Sequence, residues 1–420
     1  MQESRVKTIT LGCRFNFYET EVMKEIIDGL PGTGNIVIIN TCAVTREAER
    51  QSKQIVRKMI RENEGAKIIV TGCASQTDID YFTNLDGVFK VIPNDLKDNL
   101  REYGELIDND DISSVGKVSR SNLFADRARA FLQIQNGCDH FCTYCIVPFT
   151  RGRSRSLPFQ QIAEKIEYFV DHGFKEIVLS GIDIMSYGAD LPEHIDLSDV
   201  IDTLLDITSV SQLRLRLSSI DPAAIDAKFT RIITSEPRIL PHFHLSIQSG
   251  DDHVLKTMRR RHTRERVLEI CNSIREGRKG VVFGADFIAG FPSETEEMFE
   301  NTLRLIDDAG ISLIHSFPYS PRPGTIAADM IQLPRHTAIE RAAKLRAKAQ
   351  DVREKLYRSL VGTKTSGLVE KSEEGISYGK TDNFLPFRLV SDRYNPRDIA
   401  EDLTIIDADA DGLVTENIYT

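Results

Sequence analysis

Short apolar strands alternate with amphipathic helices along most of this chain, and this alternation limits the fold more than any other feature. In the first series, strands are predicted at 6–11, 35–40, 67–71 and 87–92, with helices at 18–29 and 46–64. Strand–helix–strand repeats produce parallel sheets covered by helices. The sequence therefore predicts an N-terminal α/β domain built on a parallel sheet.

A second alternating series begins near residue 130 and contains six predicted strands, at 130–135, 176–179, 212–217, 243–247, 281–288 and 311–317. Six strand–helix units, closed by a long helix at 337–359, predict a partial (β/α)6 barrel rather than the full eight units. After residue 362, short runs at 365–370, 387–390 and 403–406 show no helical period and predict a small antiparallel β domain. With 105–122 interpreted as a linker, the expected domains are 1–122, 123–360 and 361–420.

Composition narrows the class of protein. The chain has 420 residues, 41% hydrophobic and 28% charged, with a formal net charge of -10. No apolar run approaches the roughly 20 residues that span a bilayer, and the charged N-terminus does not resemble a signal peptide. We therefore expect a cytoplasmic protein with no membrane partner. The seven cysteines are an odd number, and cytosolic thiols are usually reduced, so a fully paired disulfide framework is not expected.

Three cysteines lie close together directly after the first strand of the second series. Cys138, Cys142 and Cys145 have the spacing C-x3-C-x2-C, and three thiolates in one short loop can bind one soft metal centre. Structural zinc sites normally use four ligands, and His140, inside the loop, is interpreted as a neighbour. Three protein ligands to a 4Fe-4S cluster leave one iron open to a small molecule. The alternative is three unrelated core cysteines.

Three further cysteines each follow a strand of the first series. Cys13, Cys42 and Cys73 come directly after predicted strands, and glycine precedes Cys13 and Cys73. Because the ends of neighbouring parallel strands lie at one edge of a sheet, we expect a second three-cysteine cluster there. The alternative is three buried thiols. Cys271, within an amphipathic helix, is interpreted as a core residue.

With these motifs the chain resembles the radical SAM enzymes, whose hallmark is CxxxCxxC after the first barrel strand. Tyr144 matches the aromatic residue usual before the last cysteine. The resemblance implies a 4Fe-4S cluster on Cys138, Cys142 and Cys145. Its open iron would bind S-adenosylmethionine, and electron transfer would cleave this cofactor to a 5′-deoxyadenosyl radical. Further cofactor contacts at strand ends are implied for Gly181, Asp183, Ser219, Gln248, Arg260 and Asp286.

The complete chain resembles the methylthiotransferase family of radical SAM enzymes. That resemblance implies two 4Fe-4S clusters, insertion of sulfur at an unactivated C–H bond, and a methyl group from a second S-adenosylmethionine. It also implies that the last 60 residues form an RNA-binding TRAM barrel, whose recurrent segment is similar to 379–386.

Basic residues stand out locally in this acidic chain. Arg151, Arg153 and Arg155 follow the cysteine loop, and Arg322 lies in the proline-rich segment after the sixth strand. The three arginines after the loop are predicted to contact substrate phosphate, with a solvated charge run as the alternative. The rigid loop that carries Arg322 is predicted to form a wall of the substrate site. Together with 259–263 and 316–325, these segments most resemble the MtaB type, which modifies threonylcarbamoyl-adenosine at position 37 of tRNA.

The partners implied are a tRNA anticodon stem-loop and an electron donor such as flavodoxin or ferredoxin, whereas the sulfur donor is not indicated. Acidic residues near the C-terminus keep open the methylthiolation of a ribosomal protein aspartate, because an RNA-binding barrel is expected to be basic. Two further hypotheses are methylthiolation of isopentenyl-adenosine in tRNA and an RNA-binding protein with structural metal clusters.

Overall fold

The computed structural model describes residues 6–30, 34–106, 124, 127–193, 195–391 and 393–417. The chain divides into two compact units, of which the first contains Met1–Ala125, Gly137–Arg153 and Ser320–Ala328, and the second the remainder. The predicted linker lies mostly outside the described residues, and the three predicted domain boundaries stay predictions. None of the described helices is long and apolar enough to cross a membrane.

The first unit is built on the predicted parallel sheet. Its strands run in the order β1-β2-β3-β4 and comprise β1 Val6–Thr10, β2 Ile36–Thr41, β3 Lys67–Gly72 and β4 Val88–Ile92. Strand β2 is buried along its whole length, as expected for a parallel strand covered on both faces. The helices of this region are α1 Arg14–Asp28, α2 Arg46–Glu62, α3 Cys73–Thr77 and α4 Ile79–Thr83, followed by a 3-10 helix at Leu100–Leu106.

Two later segments belong to this unit. The cysteine loop ends in the short helix α5, Val147–Arg151, and the proline-rich segment ends in a 3-10 turn at Ile326–Ala328. The amide of Asn94 donates to the carbonyl of Thr150 at 2.7 Å, and the backbone N–H of Ala327 donates to the carbonyl of Thr143 at 2.8 Å. Both segments are therefore part of the same compact body as the sheet.

The second unit contains the predicted partial barrel. Its strands are β5 Ala130–Asn136, β6 Arg155–Ser156, β7 Glu176–Gly181, β8 Arg214–Leu217, β9 His242–Gln248, β10 Val282–Ala289 and β11 Ile311–Pro318. One sheet has the order β6-β5-β7-β8 and the other β11-β10-β9, with bridges from Leu215 to Ile239 and from Ile220 to Leu245 between them. Its helices are α6 Phe159–Asp171, α7 Leu197–Ile207, α8 Ala227–Ser235, α9 Asp252–Thr257, α10 Arg264–Gly277, α11 Glu296–Asp308 and α12 Arg335–Leu360.

The last strands form a closed five-stranded barrel and are β12 Lys364–Glu373, β13 Ile376–Thr381, β14 Pro386–Val390, β15 Ile399–Asp409 and β16 Gly412–Asn417. Their order is β12-β13-β14-β16-β15, with β15 paired back to β12. The barrel was expected to be antiparallel throughout, but β14 and β16 are parallel. The pairing order explains this direction. β15 is antiparallel to both β12 and β16, so β16 runs in the same direction as β12. β13 is antiparallel to both β12 and β14, so β14 runs in that direction too.

One turn of this barrel packs against the amino ends of the partial-barrel strands. Arg214 donates to the carboxylate of Asp382 at 2.6 Å, and the Phe384 ring stacks on His242 with centroids 4.9 Å apart. The guanidinium of Arg216 lies 4.7 Å from the centre of the same phenylalanine ring. Beneath the turn, one fully buried carboxylate, that of Glu176, accepts hydrogen bonds from Arg129, Arg214 and Arg216.

Candidate active site

The first three cysteines lie at the carboxyl ends of adjacent strands. Thr10 pairs with Asn40, and Thr41 pairs with Gly72, so the residues just beyond these pairs come to one edge of the sheet. Cys42 and Cys73 are buried, whereas Cys13 is exposed. The three cysteines, about thirty residues apart in sequence, therefore follow neighbouring strands at one edge of the sheet, as the parallel topology predicts.

The glycines that precede Cys13 and Cys73 are required by this arrangement. Gly12 has a φ of +91°, and a Cβ there would lie 2.7 Å from both Cβ and Sγ of Cys42. Gly72 has a φ of +102°, and a Cβ there would lie 2.2 Å from the carbonyl oxygen of Thr41. Larger residues would press on the cysteine edge in a backbone conformation that L-residues rarely adopt.

A buried polar network lies beside these thiols. Asn16 donates to the carbonyls of Leu11 and Thr41 at 2.7 and 3.0 Å, and its own oxygen lies 3.9 Å from the Cys13 sulfur. The same oxygen accepts a 2.6 Å hydrogen bond from the guanidinium of Arg151. Asn16 therefore links the ends of two strands, a cysteine and a buried cation.

The charges of this network centre on one carboxylate. Glu19 accepts from Arg151 at 2.7 Å and from Lys97, whose ammonium also donates to Asn40 at 3.2 Å. All three ionisable side chains are almost fully buried. Burial acts to raise the pKa of Glu19, but Arg151 and Lys97 lower it to about 2. Two cations thus share one carboxylate beside the thiols.

The second cysteine group lies in the loop of the first unit that precedes α5. Cys138, Cys142 and Cys145 are all partly exposed, and the backbone N–H of Cys138 donates to the carbonyl of Gly152 at 3.1 Å. Gly137 has a φ of +75°, and a Cβ there would lie 1.9 Å from the carbonyl oxygen of Arg153. The loop is therefore pinned at its base by the segment that follows α5.

The residues predicted to contact S-adenosylmethionine are partly grouped at strand ends of the second unit. Gly181 ends β7, and its N–H lies 3.3 Å from the Ser218 hydroxyl. The backbone N–H of Asp183 donates to the Gln135 side chain at 2.8 Å, which brings the ends of β5 and β7 together. Tyr144, in the cysteine loop of the first unit, is half-buried.

Gln248 ends β9 with a φ of +77°, and Ser219 follows β8. The side chain of Arg260 is buried and donates to the carboxylate of Asp221 at 3.0 Å and to the carbonyl of Ser246. Burial acts to raise the pKa of Asp221, but hydrogen bonds and charges from the 260–262 segment hold it well below its usual range. These contacts fix Arg260 beside the last strand residues of β9, and its predicted role toward the cofactor carboxylate stays a prediction.

Asp286 lies on β10 between histidines of the two neighbouring strands. Its carboxylate is 3.0 Å from Nε2 of His244 and 3.2 Å from Nδ1 of His315. Burial acts to raise the pKa of Asp286, but the two imidazoles hold it far below its usual range. Asp286 is therefore an anion in the folded protein, and its predicted contact with adenine stays a prediction.

The four arginines predicted to contact substrate occupy different environments. Arg151 and Arg322 are buried, and Arg322 pairs with Glu49 as Arg151 does with Glu19. Arg153 and Arg155 are exposed, with Arg153 at 2.8 Å from the Asp139 carboxylate. Only the exposed pair is accessible to a large ligand in this conformation.

Asn16, Glu19 and Lys97 were not predicted from the sequence as site residues. Asn16 and Glu19 follow Cys13 by three and six residues, a spacing that places them on one face of a helix beginning at the cysteine. That spacing could have identified both residues from the sequence. No local sequence pattern identifies Lys97, because its partner Glu19 is 78 residues away. Cys271 is buried in α10, as expected.

Known families match two parts of the chain. Residues 132–306 match the radical SAM superfamily, and residues 5–92 match the uncharacterized protein family UPF0004. The radical SAM superfamily implies S-adenosylmethionine and a 4Fe-4S cluster. Among solved structures, the radical S-adenosylmethionine methyltransferase TsrM of Kitasatospora setae is similar in fold, with a TM-score of 0.52 and 13% identity. The match covers 75% of this chain and 67% of that one.

Curated relatives match nearly the whole chain. The threonylcarbamoyladenosine tRNA methylthiotransferase MtaB of Rickettsia prowazekii is 43% identical over 93% of this chain and 92% of its own. The protein of the same name from Bacillus subtilis is 33% identical over 90% of this chain and 88% of its own. This protein therefore belongs to the methylthiotransferase family of radical SAM enzymes.

Proposed function

We propose that this protein inserts sulfur and a methyl group at C2 of N6-threonylcarbamoyladenosine at position 37 of tRNA. The observation that carries the proposal is the pair of three-cysteine groups, in a chain that aligns almost from end to end with relatives named for that reaction. A tRNA substrate would also place the reaction in the cytoplasm.

Cys138, Cys142 and Cys145 are assigned to the cluster that cleaves S-adenosylmethionine. Their donor set fits, because three thiols in one pinned loop leave a fourth iron without a protein ligand. When bound, this cluster and its cofactor supply a 5′-deoxyadenosyl radical that removes hydrogen from an unactivated C–H bond. The strand-end residues assigned to the cofactor are Gly181, Asp183, Ser219, Gln248, Arg260 and Asp286, with Tyr144 from the loop.

Cys13, Cys42 and Cys73 are assigned to a second 4Fe-4S cluster. The support is that Gly12 and Gly72 keep side chains away from the edge where the thiols meet, and that a buried cation lies next to them. Burial raises the pKa of Cys42 to about 11, so binding a soft metal centre releases a proton from this thiol. Sulfur associated with this cluster is the group to be inserted.

The net change replaces the C2 hydrogen of the adenine with S–CH3. One S-adenosylmethionine is consumed with one electron, giving methionine and 5′-deoxyadenosine, which carries away the hydrogen. A second loses its methyl group and leaves as S-adenosylhomocysteine. The electron comes from a one-electron donor such as flavodoxin or ferredoxin, and the inserted atom comes from a sulfur donor of the sulfide class. Joining sulfide to the substrate radical releases one proton and one electron, and a one-electron carrier of the same class accepts that electron.

Charge favours the first unit as a surface for the tRNA backbone. Residues 361–420 hold twelve acidic and six basic side chains, so the terminal barrel is acidic. By contrast, Arg50, Arg57 and Arg61 are exposed along α2 and line an open cleft of about 380 Å³ together with Lys53 and Gln54. From Arg50 to Arg61 this basic stripe spans about 16 Å of helix, and guanidinium groups suit phosphate. We infer that the stripe contacts the anticodon stem-loop.

Nucleoside mass spectrometry of tRNA from a deletion strain tests the proposed reaction. We expect the 2-methylthio derivative of threonylcarbamoyladenosine to disappear and to return with the wild-type gene. Its persistence in a strain without a second such enzyme would refute the proposal. Loss of methylthio-isopentenyl-adenosine, or a mass change in a ribosomal protein, would support the other methylthiotransferase substrates instead.

Metal analysis of anaerobically purified protein separates catalysis from a structural role. Two clusters correspond to about eight iron atoms per chain. Zinc without iron would favour an RNA-binding protein with structural metal sites.

A further inference from the structure

Arg151 connects the two cysteine groups through the chain and through space. It ends α5, only six residues after Cys145, yet its guanidinium lies in the network beside Cys13. Its side chain is 1% exposed and makes two hydrogen bonds to Glu19, at 2.7 and 3.2 Å, besides the one to Asn16. The neighbouring Thr150 carbonyl is held by Asn94. These hydrogen bonds therefore anchor the segment after the cysteine loop to the polar network beside Cys13.

The charge of Arg151 acts directly on that group. A guanidinium stays protonated in proteins, and the Asn16 side-chain oxygen that accepts from this one at 2.6 Å lies 3.9 Å from the Cys13 sulfur. Because the Arg151 side chain is itself buried, water screens its charge less than that of a surface arginine, and the charge acts more strongly on neighbouring groups, including the exposed Cys13. Fixed charge near a cluster is one determinant of its reduction potential.

Glu19 and Lys97 belong to the same charged group. The carboxylate of Glu19 opposes the field of Arg151, whereas Lys97 reinforces it. A purely structural ion pair would respond in the same way to loss of either partner, because both losses leave a buried charge unpaired. An electrostatic role predicts that loss of Arg151 and loss of Glu19 change the reduction potential of the cluster in opposite directions, and this difference makes the role testable.

We propose that Arg151 is a positioning residue that raises the reduction potential of the cluster held by Cys13, Cys42 and Cys73, and that it ties this site to the loop with the other three cysteines. The proposal rests on the second cluster of the proposed function. The sequence predicted that Arg151 contacts substrate, and the proposal gives it a role inside the protein instead.

The test uses the full-length chain with Cys138, Cys142 and Cys145 replaced by alanine, so that a single cluster remains. In this background, Arg151→Gln, Arg151→Lys and Glu19→Gln are compared with Lys58→Gln, which removes an exposed charge of α2. Each reconstituted protein is titrated anaerobically with a reductant and followed by electron paramagnetic resonance. About four irons per chain before titration show that the cluster is present.

We expect Arg151→Gln to lower the ratio of reduced to oxidised cluster at a fixed potential by at least tenfold, equal to 59 mV for one electron. Arg151→Lys should keep the potential near that of the parent, because the charge is retained. Glu19→Gln should not lower the potential, and Lys58→Gln should leave it unchanged.

Two results would overturn the proposal. One is an Arg151→Gln potential equal to that of Lys58→Gln, and the other is a fall in Glu19→Gln as large as that in Arg151→Gln. A parent protein without iron would instead refute the second cluster of the proposed function, which is a separate outcome.

Discussion

Replacing Gly12 with alanine tests the geometry of the first cysteine group most directly. Two costs add at this position. A positive φ costs a residue with a Cβ about 1–2 kcal/mol, and the new methyl would lie 2.7 Å from two atoms of Cys42. Overpacking of this kind typically costs about 1–3 kcal/mol. The total destabilisation is roughly 2–5 kcal/mol. Its steric part acts on Cys42, which is assigned to the second cluster.

Gly65→Ala is the matched control. Gly65 has a φ of +80°, similar to that of Gly12, but a Cβ there would meet no atom within 4 Å. It therefore carries the backbone cost of about 1–2 kcal/mol without the contact. The difference between the two variants isolates the effect of pressing on Cys42.

The assay is the iron content after anaerobic reconstitution, with the thermal midpoint as a second readout. We expect Gly65→Ala to keep about eight irons per chain and Gly12→Ala to keep about four, because only one of two clusters is disturbed. The thermal midpoint of Gly12→Ala should also be the lower of the two. Equal iron content and equal midpoints would show that the space beside Cys42 is not needed, and would refute the assignment of this edge to a cluster.

Other parts of the structure give further predictions. Cys142→Ala should abolish reductive cleavage of S-adenosylmethionine, measured as 5′-deoxyadenosine, whereas Cys271→Ala should leave both cleavage and iron content unchanged. Arg57→Gln and Arg61→Gln should each weaken tRNA binding and reduce the slope of log affinity against log salt by about 1, measured by filter binding; an unchanged slope would exclude phosphate contacts there. Burial acts to raise the pKa of Glu176, but the surrounding arginines lower it to about 2, so its stabilising effect is complete above the usual value of about 4.3 and is lost as the pH falls from there to about 2. Across that window, urea denaturation of the iron-free chain should show wild type losing about 3 kcal/mol of unfolding free energy relative to Glu176→Gln; parallel pH profiles would contradict this.

The sequence predicted the strands of the parallel sheets closely, because each is an apolar run bounded by polar residues, but it missed β6, β13 and β16. Strand β3, for example, was expected at 67–71 and is Lys67–Gly72. The placement of Cys13, Cys42 and Cys73 at one sheet edge followed from the same topology, since parallel strand ends share an edge. These predictions depend on local pattern and on a general rule of packing.

The rest depended on contacts between distant residues. The pairing of Lys97 with Glu19, and of Arg151 with Glu19 across 132 residues, leaves no local pattern. A basic run therefore looked like a ligand surface although Arg151 is buried. The parallel pairing of β14 with β16 likewise depends on how the terminal barrel closes rather than on the composition of either strand.

The turn that carries Asp382 and Phe384 makes the terminal barrel an unsuitable unit for exchange between proteins. A chain cut after residue 360 would remove the carboxylate that faces Arg214 and the ring that covers Arg216. Glu176 alone would then face three guanidinium groups at the amino ends of the strands. A chimera that takes its last 60 residues from another family member must therefore bring a matching acid and aromatic residue, so recombination at this junction is restricted by charge as well as by shape.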